Sequence, residues 1–311
     1  MWNRMTPDDM IGGGVRKVSG WWTALAVTLI AMAVAAPAAA PKPPSTLPAD
    51  PAIAYRLAGT TDKLMVMNAD GTNKAAVYSC TNGFVAGFSW SPDGKSIAFQ
   101  PCSRGLWRVD VSVVNGKPVG SNAVQLADSS VCGSCYDAAW SPTGDVIAVG
   151  GGVSIPSMFL IPAGGGAAQV LYTASAGTFV LYSSWSSDGA RLAVVEQTGS
   201  GGPYSIRIVE RATGNVLQTL VSGQFSIVTH VDWARQGTDA LVFSANDPRT
   251  IFTLDLATGE TNPIREGNGP SWSPDNGKLV FADGKIRTVE LATGRVITLA
   301  QNGGTPDWRR F

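Results

Sequence analysis

Trp90-Ser91-Pro92-Asp93-Gly94-Lys95-Ser96-Ile97-Ala98-Phe99 is the stretch on which the reading of this 311-residue chain turns. Its first half is a turn. Proline presets φ at the second turn position, aspartate favours the turn, and glycine takes the positive φ that follows. Its second half, Ile97-Ala98-Phe99, is a short apolar run bounded by that turn, which reads as a buried strand.

The same stretch recurs. Trp140 opens WSPTGDVIAV, Trp185 opens WSSDGARLAVV, Trp233 opens WARQGTDALVF, and Trp272 opens WSPDNGKLVF; Trp308 opens WRRF, where the sequence ends. The Trp233 copy is degraded and carries one extra residue. Successive tryptophans are 50, 45, 48, 39 and 36 residues apart, close to the roughly 40–45 residues of a four-stranded propeller blade. A second apolar run follows each copy, such as Leu106 to Val109, Ile206 to Val209 and Ile286 to Val289. Glycine turns come next, at Ala212-Thr213-Gly214, Ala257-Thr258-Gly259 and Ala292-Thr293-Gly294, and then a last strand such as Val296 to Leu299. Each copy is therefore a four-stranded meander. One such sheet cannot bury both of its faces, whereas copies arranged radially bury each other.

The sequence predicts an all-β, six-bladed β-propeller of four-stranded antiparallel blades over residues 51–311. Trp308 begins a sixth copy that lacks its later strands. Ala52-Ile53-Ala54-Tyr55 matches Ser96-Ile97-Ala98-Phe99 but has no WSPDG before it. A shared blade is expected, with its first strand from about 304–311 and its other three from about 51–79.

Trp-Ser-Pro-Asp-Gly followed by an Ile-Ala-Phe strand resembles the TolB-type, WD40-like propeller repeat, over about residues 51–311. In that family the propeller is a protein-binding platform, so the resemblance implies a protein- or peptide-binding module of the cell envelope, without catalysis. The same repeat gates prolyl-oligopeptidase-like peptidases. The α/β domain that precedes the TolB propeller and the hydrolase domain of the peptidases are expected to be missing, so a peptidase is not expected. The alternative is a propeller enzyme or carbohydrate binder with its site in the central funnel.

Charge is balanced, 23 basic against 23 acidic residues. No basic patch stands out, so nucleic-acid binding is not expected. Six of the seven tryptophans beyond residue 40 are the repeat tryptophans, which assigns them to blade packing rather than to a sugar-stacking platform. Residues 1–40 read as a signal peptide or an N-terminal membrane anchor. Arg16 and Lys17 precede the apolar run Trp21 to Ala36, and Ala36-Pro37-Ala38 is the preferred cleavage site. The run is short of the roughly 20 residues of a span, though the Ala-rich tail could extend it. Residues 41–50 read as a stiff Pro-rich linker. The protein is thus expected outside the cytoplasm, periplasmic or extracellular, and monomeric.

Cys80, Cys102, Cys132 and Cys135 all fall in connections that emerge on one rim of the blade pattern. Two structural disulfides, Cys80–Cys102 and Cys132–Cys135, are the preferred reading for an oxidising compartment. Four cysteines allow three connectivities. A redox-active Cys132-Gly133-Ser134-Cys135 lacks a thioredoxin-like context, and a four-thiolate zinc site lacks a second CxxC.

Evidence for a site is thinner. His230 is the only histidine, three residues before Trp233 on a strand expected to line the funnel. The matching positions are Gly87, Asp137, Tyr182, Gly269 and Thr305. Asp137, Tyr182 and His230 are therefore the candidate ligand-binding residues, converging at the funnel mouth. The plainer reading is that they satisfy strand ends. No G-x-S-x-G elbow is present. Gly150-Gly151-Gly152 and Gly164-Gly165-Gly166 are expected in turns without a following helix, so they make no phosphate loop. No cofactor, metal or catalytic residue is assigned.

Overall fold

The repeated turn owes its shape to a serine and an aspartate. In a computed structural model describing residues 51–311 except 103, 134, 153, 154, 247 and 311, Ser91 Oγ donates to Asp93 Oδ1 at 2.6 Å. It also accepts from the Ser96 N–H at 2.9 Å. Ser186 with Asp188 and Ser273 with Asp275 repeat the pair. The hydroxyl bonds hold both carboxyls below their ordinary pKa, helped by backbone N–H donors. Where Thr143 replaces the aspartate, Ser141 turns to Asp145 instead, at 2.8 Å.

These turns link the first two strands of blades 1, 2, 3 and 5. Blade 1 comprises β4 (Ala86–Trp90), β5 (Ser96–Gln100), β6 (Leu106–Val114) and β7 (Lys117–Ala127). Blade 2 comprises β8 (Tyr136–Trp140), β9 (Val146–Gly151), β10 (Ser157–Pro162) and β11 (Gln169–Thr173), and blade 3 β12 (Thr178–Trp185), β13 (Arg191–Thr198), β14 (Tyr204–Glu210) and β15 (Val216–Leu220). Blade 4 comprises β16 (Val228–Trp233), β17 (Ala240–Ala245), β18 (Thr250–Asp255) and β19 (Thr261–Glu266), and blade 5 β20 (Asn268–Trp272), β21 (Lys278–Ala282), β22 (Ile286–Glu290) and β23 (Val296–Ala300). Blade 6 is shared by the two ends of the described chain. β24 (Gly304–Trp308) pairs antiparallel with β1 (Ile53–Leu57), and β2 (Thr61–Met67) and β3 (Ala75–Thr81) complete it. The six-bladed propeller and its clasp are thus as the repeat predicts.

The core is distributed between blades. Six buried apolar clusters each span two neighbours; Trp308, Ile53, Tyr55 and Met67 of blade 6, for instance, pack on Val280, Ile286 and Leu299 of blade 5. All six repeat tryptophans are buried in these seams. Wedging an aromatic between sheets fills the space that radial packing opens, at native density.

A second ring of contacts lies closer to the axis. The residue before each tryptophan reaches the backbone N–H of the tryptophan in the next blade: Ser89 to Trp140 at 3.1 Å, Ser184 to Trp233 at 2.9 Å and Asp232 to Trp272 at 2.9 Å. Ser271 reaches Trp308 at 3.0 Å and Asp307 reaches Trp90 at 3.2 Å. Ala139 breaks the pattern, and there the Trp185 indole N–H donates to the Ala139 carbonyl at 3.0 Å. Inner strands have no neighbour across the axis, so these side chains satisfy backbone donors that would otherwise be orphaned.

Two details depart from expectation. A single helical turn, α1 (Ser129–Cys132), capped by Asp128, precedes β8. Gly150 and Gly151 lie in β9 rather than in a turn. A Cβ at Gly150 would stand 2.4 Å from the Val180 carbonyl oxygen, and one at Gly151 2.1 Å from that of Cys132. The two glycines let β9 pass beneath neighbouring backbone, which the sequence pattern does not reveal. The leader and linker, residues 1–50, lie outside the described residues. No helix among the described residues is long and apolar enough to cross a membrane.

Candidate functional site

Each inner strand is kinked three residues before its tryptophan. Register shifts fall there in β4, β8, β12, β16 and β20. Gly87, Asp137, His230, Gly269 and Thr305 have φ between 41° and 57°. A bulge of this kind re-aims the local side chain, here towards the axis. Left-handed backbone is unusual for Asp, His and Thr, and its recurrence at one level of five blades marks the neck of the funnel. Gly87 is required by a close approach as well: its Cβ would stand 2.5 Å from Asp137 Cα.

Above the neck opens a pocket of about 580 Å³, within the range of small-ligand and peptide sites. The candidate residues Asp137, Tyr182 and His230 meet in its floor. Tyr182 and His230 lie with ring centroids 4.6 Å apart and planes tilted by 36°. The walls come from connections and strand ends. Phe84, 53% exposed, precedes β4; Tyr136 opens β8; Arg104 follows β5; and Arg56 is the penultimate residue of β1. Arg56 donates to buried Asp62 at 2.7 Å and lies 5.7 Å from the Phe84 ring centroid. Asp62 also accepts from the Val85 N–H at 2.8 Å, which anchors the loop that carries Phe84.

The cysteines brace this rim. Cys80–Cys102 and Cys132–Cys135 are disulfide-bonded, and no described cysteine is free, so the preferred pairing is the one observed. The first disulfide ties the end of β3 to the loop that holds Arg104. The second closes the segment between α1 and Tyr136. No group of described His, Cys, Asp or Glu residues has the arrangement of a metal site.

Below the neck the channel narrows to a cavity of about 60 Å³. Its far end is stoppered. Arg235 and Arg310 both stand two residues after a repeat tryptophan, where intact copies carry proline. Arg235 binds Asp232 through two N–H groups at 2.8 and 2.9 Å and donates to the Trp233, Trp272 and Trp308 carbonyls. Arg310 donates to Ser184 Oγ at 2.7 Å, to the Trp185 carbonyl at 2.9 Å and to Asp232 at 3.3 Å. Burial and the nearby Arg235 push Arg310 down to about 10, still far above neutrality. The funnel is therefore blind, open at the disulfide-braced rim and closed by paired guanidinium groups at the other.

The acids along the axis differ in their surroundings. Burial, with Asp307 and Asp232 adding repulsion, raises Asp137 to about 8; a long N–H bond from Ser183, 3.4 Å, opposes this. Burial and Asp232 raise Asp307 to about 6, against the pull of Arg235 and the Trp90 N–H. Burial and Arg249 lower His230 to about 4, so the imidazole is neutral at pH 7. Burial and Asp137 raise Tyr182 to about 12. No hydrogen bond joins His230 to a serine or a carboxylate among the described residues. The floor is a neutral aromatic pair beside a carboxyl group.

No family model matches the chain, and no curated protein matches it. Solved structures do. TolB from Acinetobacter baumannii superposes with a TM-score of 0.62 at 16% identity, over 85% of this chain and 67% of that one. A propeller from the nidogen/laminin complex gives 0.65 at 10% identity, over 83% and 98% of the two chains. Hydrazine synthase from Kuenenia stuttgartiensis gives 0.52 at 15% identity, over 79% and 78%. At these identities the likeness is one of fold, and functions differ among bearers of one fold. The chain is similar in architecture and repeat to the six-bladed propeller of TolB.

Proposed function

We propose that this chain is an exported protein- or peptide-binding module of the cell envelope that acts without catalysis and takes its partner at the funnel mouth. The observation that carries this reading is the blind pocket of about 580 Å³ whose rim presents Phe84 and Tyr136 on disulfide-braced loops. Exposed aromatics beside arginines are the residue types enriched at protein-binding hot spots. Bracing lowers the ordering cost of association. Export is supported by two disulfides, which persist in oxidising compartments, and by the fold likeness to TolB. The nidogen/laminin structure is itself a protein–protein complex.

The test is capture from an envelope extract on the immobilised protein, comparing wild type with Phe84→Asp/Tyr136→Asp and with Ala292→Asp. Ala292 is exposed in the β22–β23 turn, on the stoppered side. The reading expects the same partner band with wild type and Ala292→Asp, and its loss with the mouth variant. Equal capture by all three would overturn it.

A further inference from the structure

The charges on the funnel axis do not balance. Asp137, Asp232 and Asp307 face two guanidinium groups, Arg235 and Arg310. The geometry identifies the surplus carboxylate. Asp232 is engaged by both arginines. Asp307 accepts from the Trp90 N–H and from Ser271 Oγ and is stabilised by the charges of Arg235 and Arg310. Asp137 has the one long bond from the Ser183 N–H and no cation beside it among the described residues. Ser183 supplies a second, independent sign. The residue is 4% exposed, its Oγ has no hydrogen-bond partner in the protein, and it lines the same cavity as Asp137. A buried hydroxyl without a partner is costly unless a ligand or solvent completes it.

We propose that the neck binds one primary ammonium group of the captured protein, a lysine side chain or a chain N-terminus, with Asp137 as its counter-ion and Ser183 Oγ as a further acceptor. This rests on the mouth-binding reading above and names the chemistry at its deepest point. One monovalent cation brings three carboxylates and two arginines to neutrality. The cavity of about 60 Å³ is several times the roughly 10–15 Å³ that one water molecule needs, room for an ammonium head and the methylene that carries it. Asp137, His230 and Thr305 line both the cavity and the mouth pocket, so the two spaces adjoin at the neck. The tilted Tyr182–His230 pair flanks it, and neutral aromatic faces attract cations.

Without ligand, Asp137 relieves the imbalance by holding a proton up to about pH 8. An ammonium ion requires the carboxylate, so binding releases that proton, and affinity rises roughly tenfold per pH unit below about 8. The other charged and titratable groups around Asp137 are Asp307, Asp232 and Arg310 in the same cavity, and Tyr182 and His230, on which Arg249 acts. Asp307 ionises near 6, below this window, while Tyr182 stays neutral throughout it and His230 above about 4.

The test is calorimetric titration of the full chain with butylammonium, with the tripeptide Gly-Gly-Leu and with its N-acetylated twin, at pH 6.5 and 8. Asp137→Asn and Ser183→Ala are run alongside, with thermal unfolding to verify the fold. Saturable binding that is stronger at pH 8, at least tenfold for butylammonium and about sevenfold for the tripeptide, whose own amine is half deprotonated there, lost in Asp137→Asn, weakened severalfold in Ser183→Ala and absent for the acetylated twin, supports the proposal. Binding of butylammonium alone points to lysine; binding of the free tripeptide points to a chain N-terminus. Equal binding of the acetylated twin, undiminished binding by a folded Asp137→Asn, or a response to potassium ions but to neither amine overturns it. If the amines bind while the mouth variant still captures partner, the mouth reading fails and the ammonium site stands.

Discussion

Asp232 should be the most sensitive polar residue of the propeller, and Asp232→Ala measures how far the stopper holds the ring together. Its carboxylate joins blades 3, 4, 5 and 6. It receives two N–H groups from Arg235, one from Arg310, the Ser184 hydroxyl at 3.1 Å and the Trp272 N–H at 2.9 Å. Arg235 is only 3% exposed. Removing one partner of a buried ion pair costs about 3–5 kcal/mol, because the remaining charge has no solvent to turn to. An orphaned buried N–H adds about 1–3 kcal/mol. These terms share one site and do not add fully, so the expected loss is about 4–6 kcal/mol. At roughly 2 °C per kcal/mol for a domain this large, Tm should fall by about 8–12 °C. The assay is urea unfolding followed by tryptophan fluorescence, with calorimetric Tm alongside. The double variant Asp232→Leu/Arg235→Met should recover at least half of the loss, since apolar replacement of a buried pair is often near neutral. A loss under about 1 kcal/mol for Asp232→Ala, or a double variant as unstable as the single, would show that the stopper does not brace the ring.

Trp308→Ala should cost about 3–5 kcal/mol, the usual range for emptying a buried tryptophan site, because Trp308 closes the seam between blades 5 and 6; an unchanged unfolding midpoint would dismiss the clasp. Stability should fall as pH rises from about 6.5 to 8.5. In that window the folded state still holds the Asp137 proton, to about 8, while the unfolded chain has already given it up. Asp307 contributes only below about 6, and His230, depressed to about 4, acts in the opposite sense only below its unfolded value near 6.5. A loss on the order of 1–2 kcal/mol over this window, read from Tm, should therefore vanish in Asp137→Asn, and an equal slope in the variant would refute the assignment. Cys80→Ser/Cys102→Ser should destabilise by about 3 kcal/mol, as expected for a loop of this length, and non-reducing peptide mapping of wild type should return only the 80–102 and 132–135 pairs.

The blade count, the clasp and the level of the neck are legible in the sequence because each rests on something that repeats. Tryptophan spacing fixes the seams, and counting back three residues from each tryptophan gives one ring of positions. That ring holds Asp137, Tyr182 and His230 together without any motif of their own. What was not legible lies where the repeat is broken or absent. Arg235 and Arg310 look like decay of the Trp-Ser-Pro-Asp-Gly turn; only in three dimensions does the lost proline become a side chain turned down the axis. The position before each tryptophan, Ser89, Ser184, Asp232, Ser271 and Asp307, was a readable signal, since a polar residue there in five of six copies marks an inter-blade acceptor. Phe84 and Arg104 sit in irregular connections and Tyr136 at the first position of β8, where neither periodicity nor turn chemistry says which way a side chain faces. The two strand glycines, Gly150 and Gly151, answer to carbonyls far away in sequence, which no local pattern records.

The central claim, that a partner enters a blind funnel at the disulfide-braced rim, is tested most directly by site-specific photocrosslinking in intact cells. A photoreactive phenylalanine analogue is placed at Tyr136 in one strain and at Ala292 in another. Entry at the mouth predicts one discrete adduct from position 136, none from 292, and loss of that adduct when Phe84→Asp is added. An adduct from position 292 with none from 136 would place the binding surface on the stoppered face and contradict the claim.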